Sequence, residues 1–168
     1  MKLSYRTASV SDTDEIMQLI AAAVCEMERL QIHQWDAVYP ARDVIAEDIR
    51  RQTMQVGIAD GRIAVIYVLN QDCDEQYANG DWTYRGDDFA VLHRLCVHPA
   101  FQRQGAAGDT MIHMEDNLRQ RGVRAVRLDV YSENPYALRL YRHHGYRETG
   151  TADWRKGRFL LMEKLLGE

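Results

Sequence analysis

Proline and cysteine are both scarce in this chain, three of each in 168 residues. With no proline-rich tract, low-complexity stretch or internal repeat, nothing marks a linker. One domain over residues 1–168 is therefore expected, long enough to bury a substantial core. Cys25, Cys73 and Cys96 are odd in number and widely spaced, which fits neither a disulfide framework nor a zinc knuckle. Reduced thiols, and with them a cytoplasmic location, are the simpler expectation. No apolar run approaches the ~20 residues of a membrane span, and Met1-Lys2-Leu3-Ser4-Tyr5-Arg6 lacks a signal-peptide core. An excess of positive charge is missing too. Lys and Arg number 21 against 25 Asp and Glu, a net −4, which leaves no footprint for nucleic acid or an anionic membrane.

What the chain does have is alternation of strand and helix patterns. Leu3 to Ala8 reads as a strand, and Ser11 can cap a helix that carries Ile16, Leu19, Ile20, Ala23, Met27 and Leu30 on one face. A shorter helix is expected over Arg42 to Arg51. Met54 to Ala59 and Arg62 to Leu69 form a hairpin about Asp60-Gly61, a strong two-residue turn signal. Asn70 to Asp87 is polar and reads as a loop, and Phe89 to Val97 is an apolar strand. The helix after Gly105 presents Ala107, Met111, Met114 and Leu118, and Gly122 suits the position just past it. Arg124 to Tyr131 is the next strand, so this strand-helix-strand unit is a right-handed parallel crossover. Asn134 with Pro135 opens a short helix ending near Gly145. Tyr146 to Trp154 and Arg158 to Leu166 form a terminal hairpin about Lys156-Gly157. The expected class is α/β (α+β) with a central, mostly antiparallel sheet.

The most informative stretch runs from Leu95 to Gly108, where an apolar strand meets a proline turn and then a basic, small-residue loop opening a helix. Small residues let a ligand approach the backbone, and the first amides of a helix point outward without helical partners. That combination suits phosphate. It is not a P-loop, because Gly105 is followed by Ala106 where Lys-Ser or Lys-Thr is needed. It is not a dinucleotide fingerprint either, since only Gly105 and Gly108 are present.

Gln102-Arg103-Gln104-Gly105-Ala106-Ala107 resembles the Gln/Arg-x-x-Gly-x-Gly/Ala signature of the GNAT acetyltransferases. Arg6-Thr7-Ala8-Ser9-Val10-Ser11-Asp12 is similar to that family's opening from first strand to first helix. Leu128 through Tyr146, with Asn134, Leu140-Tyr141 and Gly145-Tyr146, resembles its later strand and helix. The resemblance implies six to seven strands flanked by about four helices, with the parallel strand-helix-strand unit forming a cofactor cleft.

It also implies acetyl-CoA as co-substrate. The pyrophosphate would take amides from Arg103 through Gly108, beside Gln102, while backbone groups of Leu95, Cys96 and Val97 would hold the pantetheine arm and polarise the thioester. Asp109 departs from the commonest pattern, because its charge opposes phosphate unless it points outward. Tyr141 matches the tyrosine that protonates the departing thiolate, though its ring also suits packing against Leu138. Asn134 is an N-cap that can also bond the pantetheine. An amine with pKa near roughly 10 needs a base or a water chain to take its proton. Histone-type relatives place a glutamate where Val91 stands, which cannot serve. Asp129 matches the carboxylate of enzymes that acetylate ribosomal-protein N-termini. His93 shares strand parity with Leu95 and Val97. Each has an ordinary reading, Asp129 as an ion-pair partner and His93 as a core histidine. His143-His144 has no third ligand, so no metal is expected, and Cys96 lacks an activating partner.

The acceptor would be read by the segment around Gln31 to Tyr39 and by the loop carrying Asp72, Asp74, Glu75, Tyr77, Asp81 and Trp82. Acidic residues interleaved with aromatics can cage a cationic amine, but a solvated loop has the same composition. The leading expectation is acetylation of a primary amine on a small molecule. Acetylation of a peptide or protein N-terminus or lysine, and a non-catalytic acyl-CoA-binding module, are the alternatives. Family analogy allows a homodimer through the terminal strands and leaves the oligomeric state open.

Overall fold

The computed structural model describes residues 1–167. Its strands are β1 (Ser4–Thr7), β2 (Met54–Ala59), β3 (Arg62–Asn70), β4 (Phe89–Val97), β5 (Ala125–Tyr131), β6 (Arg147–Trp154) and β7 (Gly157–Leu165). They join one sheet in the order β1-β2-β3-β4-β5-β7-β6. Four α-helices accompany it: α1 (Thr13–Arg29), α2 (Arg42–Arg50), α3 (Ala106–Gln120) and α4 (Pro135–His143). The pair β4–β5 is parallel, and β1–β2, β2–β3, β5–β7 and β6–β7 are antiparallel. The mixed, mostly antiparallel fold expected from the sequence is the fold observed.

Two compact units divide the chain, Met1–Leu69 with Arg94–Thr110, and Asn70–His93 with Met111 onward. Both β4 and α3 run through the division. In the first unit Ile16, Leu19, Ile20 and Ala23 of α1 and Ile45 and Ile49 of α2 cover Met54, Val56, Ile66 and Val68 of the hairpin. Helical spacing on one side and alternation on the other bring these side chains to one core. The hairpin turns where expected, with Asp60 (φ 50) and Gly61 (φ 73) both left-handed, as a two-residue primed turn requires.

The entry to α1 differs from the expected Ser11 cap. A 3-10 turn, Val10–Asp12, precedes the helix, and Asp12 gathers the junction. Its carboxylate accepts from the Ser9 backbone N–H (2.7 Å) and from both terminal nitrogens of Arg6 (2.7 and 2.8 Å). The Arg6 guanidinium, helped by the Ser9 backbone and hydroxyl, holds the Asp12 carboxyl down from 3.8 to about 2. A pKa depressed on folding contributes stability above the unfolded value and loses it as pH falls through the folded one. Acid titration from pH 3.8 to about 2 should therefore erode this junction. Asp12→Asn is expected to cost about 1 kcal/mol at neutral pH and to flatten the acid limb of a denaturation profile over that range.

In the second unit β5 is sandwiched. Phe89↔Ala125 through Leu92↔Leu128 pair it with β4, and Ala125↔Leu165 through Tyr131↔Phe159 pair it with β7. Met111, Met114 and Leu118 of α3 are buried as their spacing requires. Gly122 (φ 79) and Gly145 (φ 86) end α3 and α4 in the left-handed conformation that glycine adopts without strain. The terminal hairpin turns one residue earlier than expected: Trp154 pairs with Gly157, so Arg155-Lys156 are the loop.

The segment 71–88 is a loop, as expected, mostly exposed but anchored by two buried aromatic residues. It contains a 3-10 turn, Glu75–Asn79, and buries Tyr77 and Trp82 against Val91, Ala152 and Leu161. Arg127 of β5 lies between the rings of Phe89 (4.1 Å) and Trp82 (4.7 Å) and donates to the Tyr84 carbonyl (2.7 Å). Glu163 of β7 accepts from the backbone of Thr83 (2.7 Å) and Tyr84 (3.2 Å). A desolvated cation on two aromatic faces and a carboxylate on two amides are strong local anchors.

Candidate active site

In the first unit the strand-to-helix passage after β4 is built by side chains that satisfy its own backbone. His98 Nδ1 accepts from the Ala100 N–H (3.1 Å) at the head of a 3-10 turn, Pro99–Phe101. Gln102 Nε2 donates to the Val97 carbonyl (3.1 Å), and Gln104 Nε2 to Ala100 (3.0 Å). Gln102 is half-buried, whereas Arg103, Gln104 and Gly105 are exposed. Arg103 (φ 60) and Gly105 (φ 85) are both left-handed. Left-handed residues are a recurring part of the loops that form anion-binding nests. Then α3 begins at Ala106, and the first helical bond is from Asp109 N–H to Gly105 O (2.9 Å). The amides of Ala106, Ala107 and Gly108 therefore precede the helical ladder. A Cβ at Gly105 would meet nothing within 4 Å, so the backbone angle, not crowding, demands glycine there. This cradle fits a pyrophosphate. Asp109 is exposed in the first turn, so its charge stays in solvent.

On β4, Cys96 is buried and Leu95 and Val97 are half-buried. Burial pushes the Cys96 thiol up to about 12, which removes it as a nucleophile. Arg94, just before them, is left-handed (φ 53) inside the strand. Its guanidinium forks onto Asp48 of α2 (2.8 and 2.7 Å) and donates to the Tyr39 hydroxyl (2.6 Å). A left-handed residue interrupts strand alternation. Strand parity therefore does not carry across Arg94 from Leu95 and Val97 to His93.

In the second unit the two candidate bases each follow the last rung of the β4–β5 pairing. Leu92↔Leu128 is the last rung between β4 and β5, and His93 and Asp129 are the next residues on adjacent strands. Both continue the face of Val91 and Arg127. His93 Nε2 lies 2.8 Å from Asn70 Oδ1. The Asp72 N–H also donates to that oxygen (3.0 Å), so the oxygen is an acceptor and His93 Nε2 carries the proton. Asp129 is half-buried, and Tyr77 donates its hydroxyl hydrogen to Asp129 Oδ2 (2.7 Å).

Asn134 caps α4, its Oδ1 accepting from the Ala137 N–H (3.1 Å), with Pro135 in the first position. Tyr141 is buried and meets Tyr146 edge-on, with ring centroids 5.8 Å apart. Among the described residues no group of three or more His, Cys, Asp or Glu is placed to hold a metal ion. Sequence reasoning set Tyr77 in the acceptor loop but missed its bond to Asp129, and missed Arg94 and Asp48 altogether. Neither has a local signal, because the partners lie 52 and 46 residues away.

The pattern of the Acetyltransferase (GNAT) family matches residues 63–146 of this chain. The chain belongs to that family. It is 38% identical over 61 residues to the ribosomal protein bS18-alanine N-acetyltransferase of Escherichia coli (strain K12), covering 36% of this chain. The match spans 41% of that relative's length. Over 168 residues it is 23% identical to the S-(2-succino)cysteine N-acetyltransferase of Bacillus subtilis (strain 168), covering 98% of this chain and 96% of the relative. A GNAT-family acetyltransferase from Streptococcus agalactiae 2603 shares the fold, with a TM-score of 0.88, 24% identity and coverage of 99% and 96%.

Proposed function

We propose that the chain is an acetyl-CoA-dependent N-acetyltransferase acting on a primary amine of a small molecule, by direct attack in a ternary complex. A single GNAT-like domain over 1–168 is part of this reading, supported by the near-complete coverage of the S. agalactiae fold. A cytoplasmic location is supported by three unpaired cysteines, two of them exposed. Among the described residues no helix is long and apolar enough to cross a membrane.

One observation carries the choice of a small acceptor. The segment 74–81 occupies the outer edge of β6. The Gln76 side-chain amide exchanges two hydrogen bonds with the Asp153 backbone (2.7 and 2.9 Å), Asn79 donates to Thr151 O (3.1 Å), and the Asp81 N–H to Thr149 O (2.8 Å). A peptide acceptor that bound by strand addition would find those groups taken. The same occupancy argues against a homodimer built by pairing this edge.

The proposed roles follow from the residues already placed. Amides from Arg103 through Gly108, with Gln102 beside them, hold the pyrophosphate. Backbone groups of Leu95, Cys96 and Val97, and Asn134, orient the pantetheine arm, and one of the strand amides polarises the carbonyl. Asp129 removes the proton from the acceptor ammonium, with His93 beside it as the second group able to take one. The N–C bond forms, the C–S bond breaks as Tyr141 delivers a proton to the sulfur, and the second proton shed by the acceptor nitrogen returns through solvent to the tyrosinate, while the proton taken by Asp129 is released to solvent.

Acetylation of a peptide N-terminus is the second reading, suggested by Asp129 and Tyr141 together and by the similarity to the bS18-alanine N-acetyltransferase. Turnover of free amino acids and diamines, measured against peptides with the same N-terminal residue, separates the two. Small amines are expected to exceed peptides by about tenfold or more in kcat/KM. A kcat/KM that rises with peptide length would overturn the small-amine reading.

A further inference from the structure

We propose that Tyr77, on the loop between β3 and β4, is the positioning residue of the reaction, aiming and keeping ionised the Asp129 carboxylate through its hydroxyl. The inference rests on the reading of Asp129 as the base.

The phenol is itself fixed from several sides. Its ring packs on Trp82, with centroids 5.6 Å apart, and the Trp82 indole N–H donates to the Tyr77 carbonyl (2.8 Å). The Tyr77 N–H donates to Asp74 O (2.9 Å), and Gln76 next to it is tied to Asp153. Tyr77 is thus buried in the cluster of Val91, Ala152 and Leu161, with its hydroxyl 2.7 Å from Asp129 Oδ2. Burial, then the neighbouring Asp129 carboxylate, push the phenol pKa far up, so it stays a donor throughout the working range.

A carboxylate on this face needs such a donor. Its cross-strand neighbour on β7 is Leu161, and β4 presents Val91, apolar side chains that offer it no hydrogen bond. The other titratable groups around the pair are Cys73 and Asp74 on the loop, His93 on β4, and Arg127, two residues back on β5. Arg127 is engaged by two rings, Tyr84 O and Glu163. The phenol therefore supplies an aimed hydrogen bond to the charged form, and it sets the rotamer in which Asp129 meets an ammonium.

Tyr77→Phe keeps the ring on Trp82 and removes only the hydroxyl. Expected are a kcat lower by about tenfold, an unchanged KM for acetyl-CoA, and an acid limb of kcat/KM moved upward by about one pH unit. The limb's position depends on the folded fraction only through amplitude, so partial destabilisation does not imitate the shift. Gln76→Ala, which loosens the same turn from β6 without opening the core, should move the limb the same way by less. A Tyr77→Phe profile that superimposes on the parent overturns the inference. Asp129→Asn separates the two claims. If it is inactive while Tyr77→Phe is unchanged, Asp129 is the base and the positioning role is wrong. If it retains full activity and the parent profile, the assignment of the base fails, and the inference with it.

Discussion

Gly105→Glu is expected to raise the Kd for acetyl-CoA by more than about 100-fold. Two causes add. At φ 85 a side chain of L configuration is strained, by about 1–2 kcal/mol. A carboxylate is also placed where outward amides and the positive end of α3 would hold a pyrophosphate, so attraction becomes repulsion. The space beside Gly105 is open, so the added side chain meets no protein atom and the fold should survive. Gly105→Asn isolates the charge, because asparagine tolerates the left-handed region and carries none. Calorimetry should find binding lost in the glutamate variant and weakened by less than about tenfold in the asparagine variant. Unimpaired binding to Gly105→Glu would remove the phosphate cradle from Arg103–Gly108.

Tyr141→Phe is expected to lower kcat by about 10²–10⁴ while leaving the affinity for acetyl-CoA unchanged. In the proposed role the hydroxyl acts where the thiolate departs, so its loss affects the transition state and not the bound ground state. Phenylalanine keeps the edge-on packing with Tyr146, and the Tyr146 N–H still donates to the residue 141 carbonyl (3.0 Å). Chemical quench on a single turnover gives the rate of the acetyl-transfer step itself. Equal losses in kcat and in acetyl-CoA affinity would assign Tyr141 a packing role.

Local rules carried most of the fold. Asp60-Gly61, Gly122 and Gly145 mark turns and helix ends because only a few residues take positive φ cheaply, and each stands where the structure needs one. The apolar run Phe89 to Val97 is β4 residue for residue, since nothing competes with it. Long-range partners account for the departures. Arg94 is left-handed although no local signal asks for it, and what holds it is Asp48 and Tyr39, 46 and 55 residues away. The loop 71–88 has the composition of a solvated segment, yet Arg127 and Glu163 on two later strands give its backbone and aromatic groups buried partners. For the site, the sequence offers the loop motif and the Asp129, Asn134 and Tyr141 spacing as candidates. The Tyr77 bond was not legible, because hydrogen bonds across a sheet face leave no period in a sequence.

The central claim is acetyl transfer from acetyl-CoA to a small primary amine. Its most direct test is to incubate the purified chain with acetyl-CoA and a mixed panel of polyamines, amino acids, aminoglycosides and short peptides. Coenzyme A release and product mass are then followed together. The expected result is one acetylated small amine formed in equal amount to the thiol released, and lost in Tyr141→Phe. Acetyl-CoA binding without amine-dependent release of thiol would contradict the claim and leave a non-catalytic acyl-CoA-binding module.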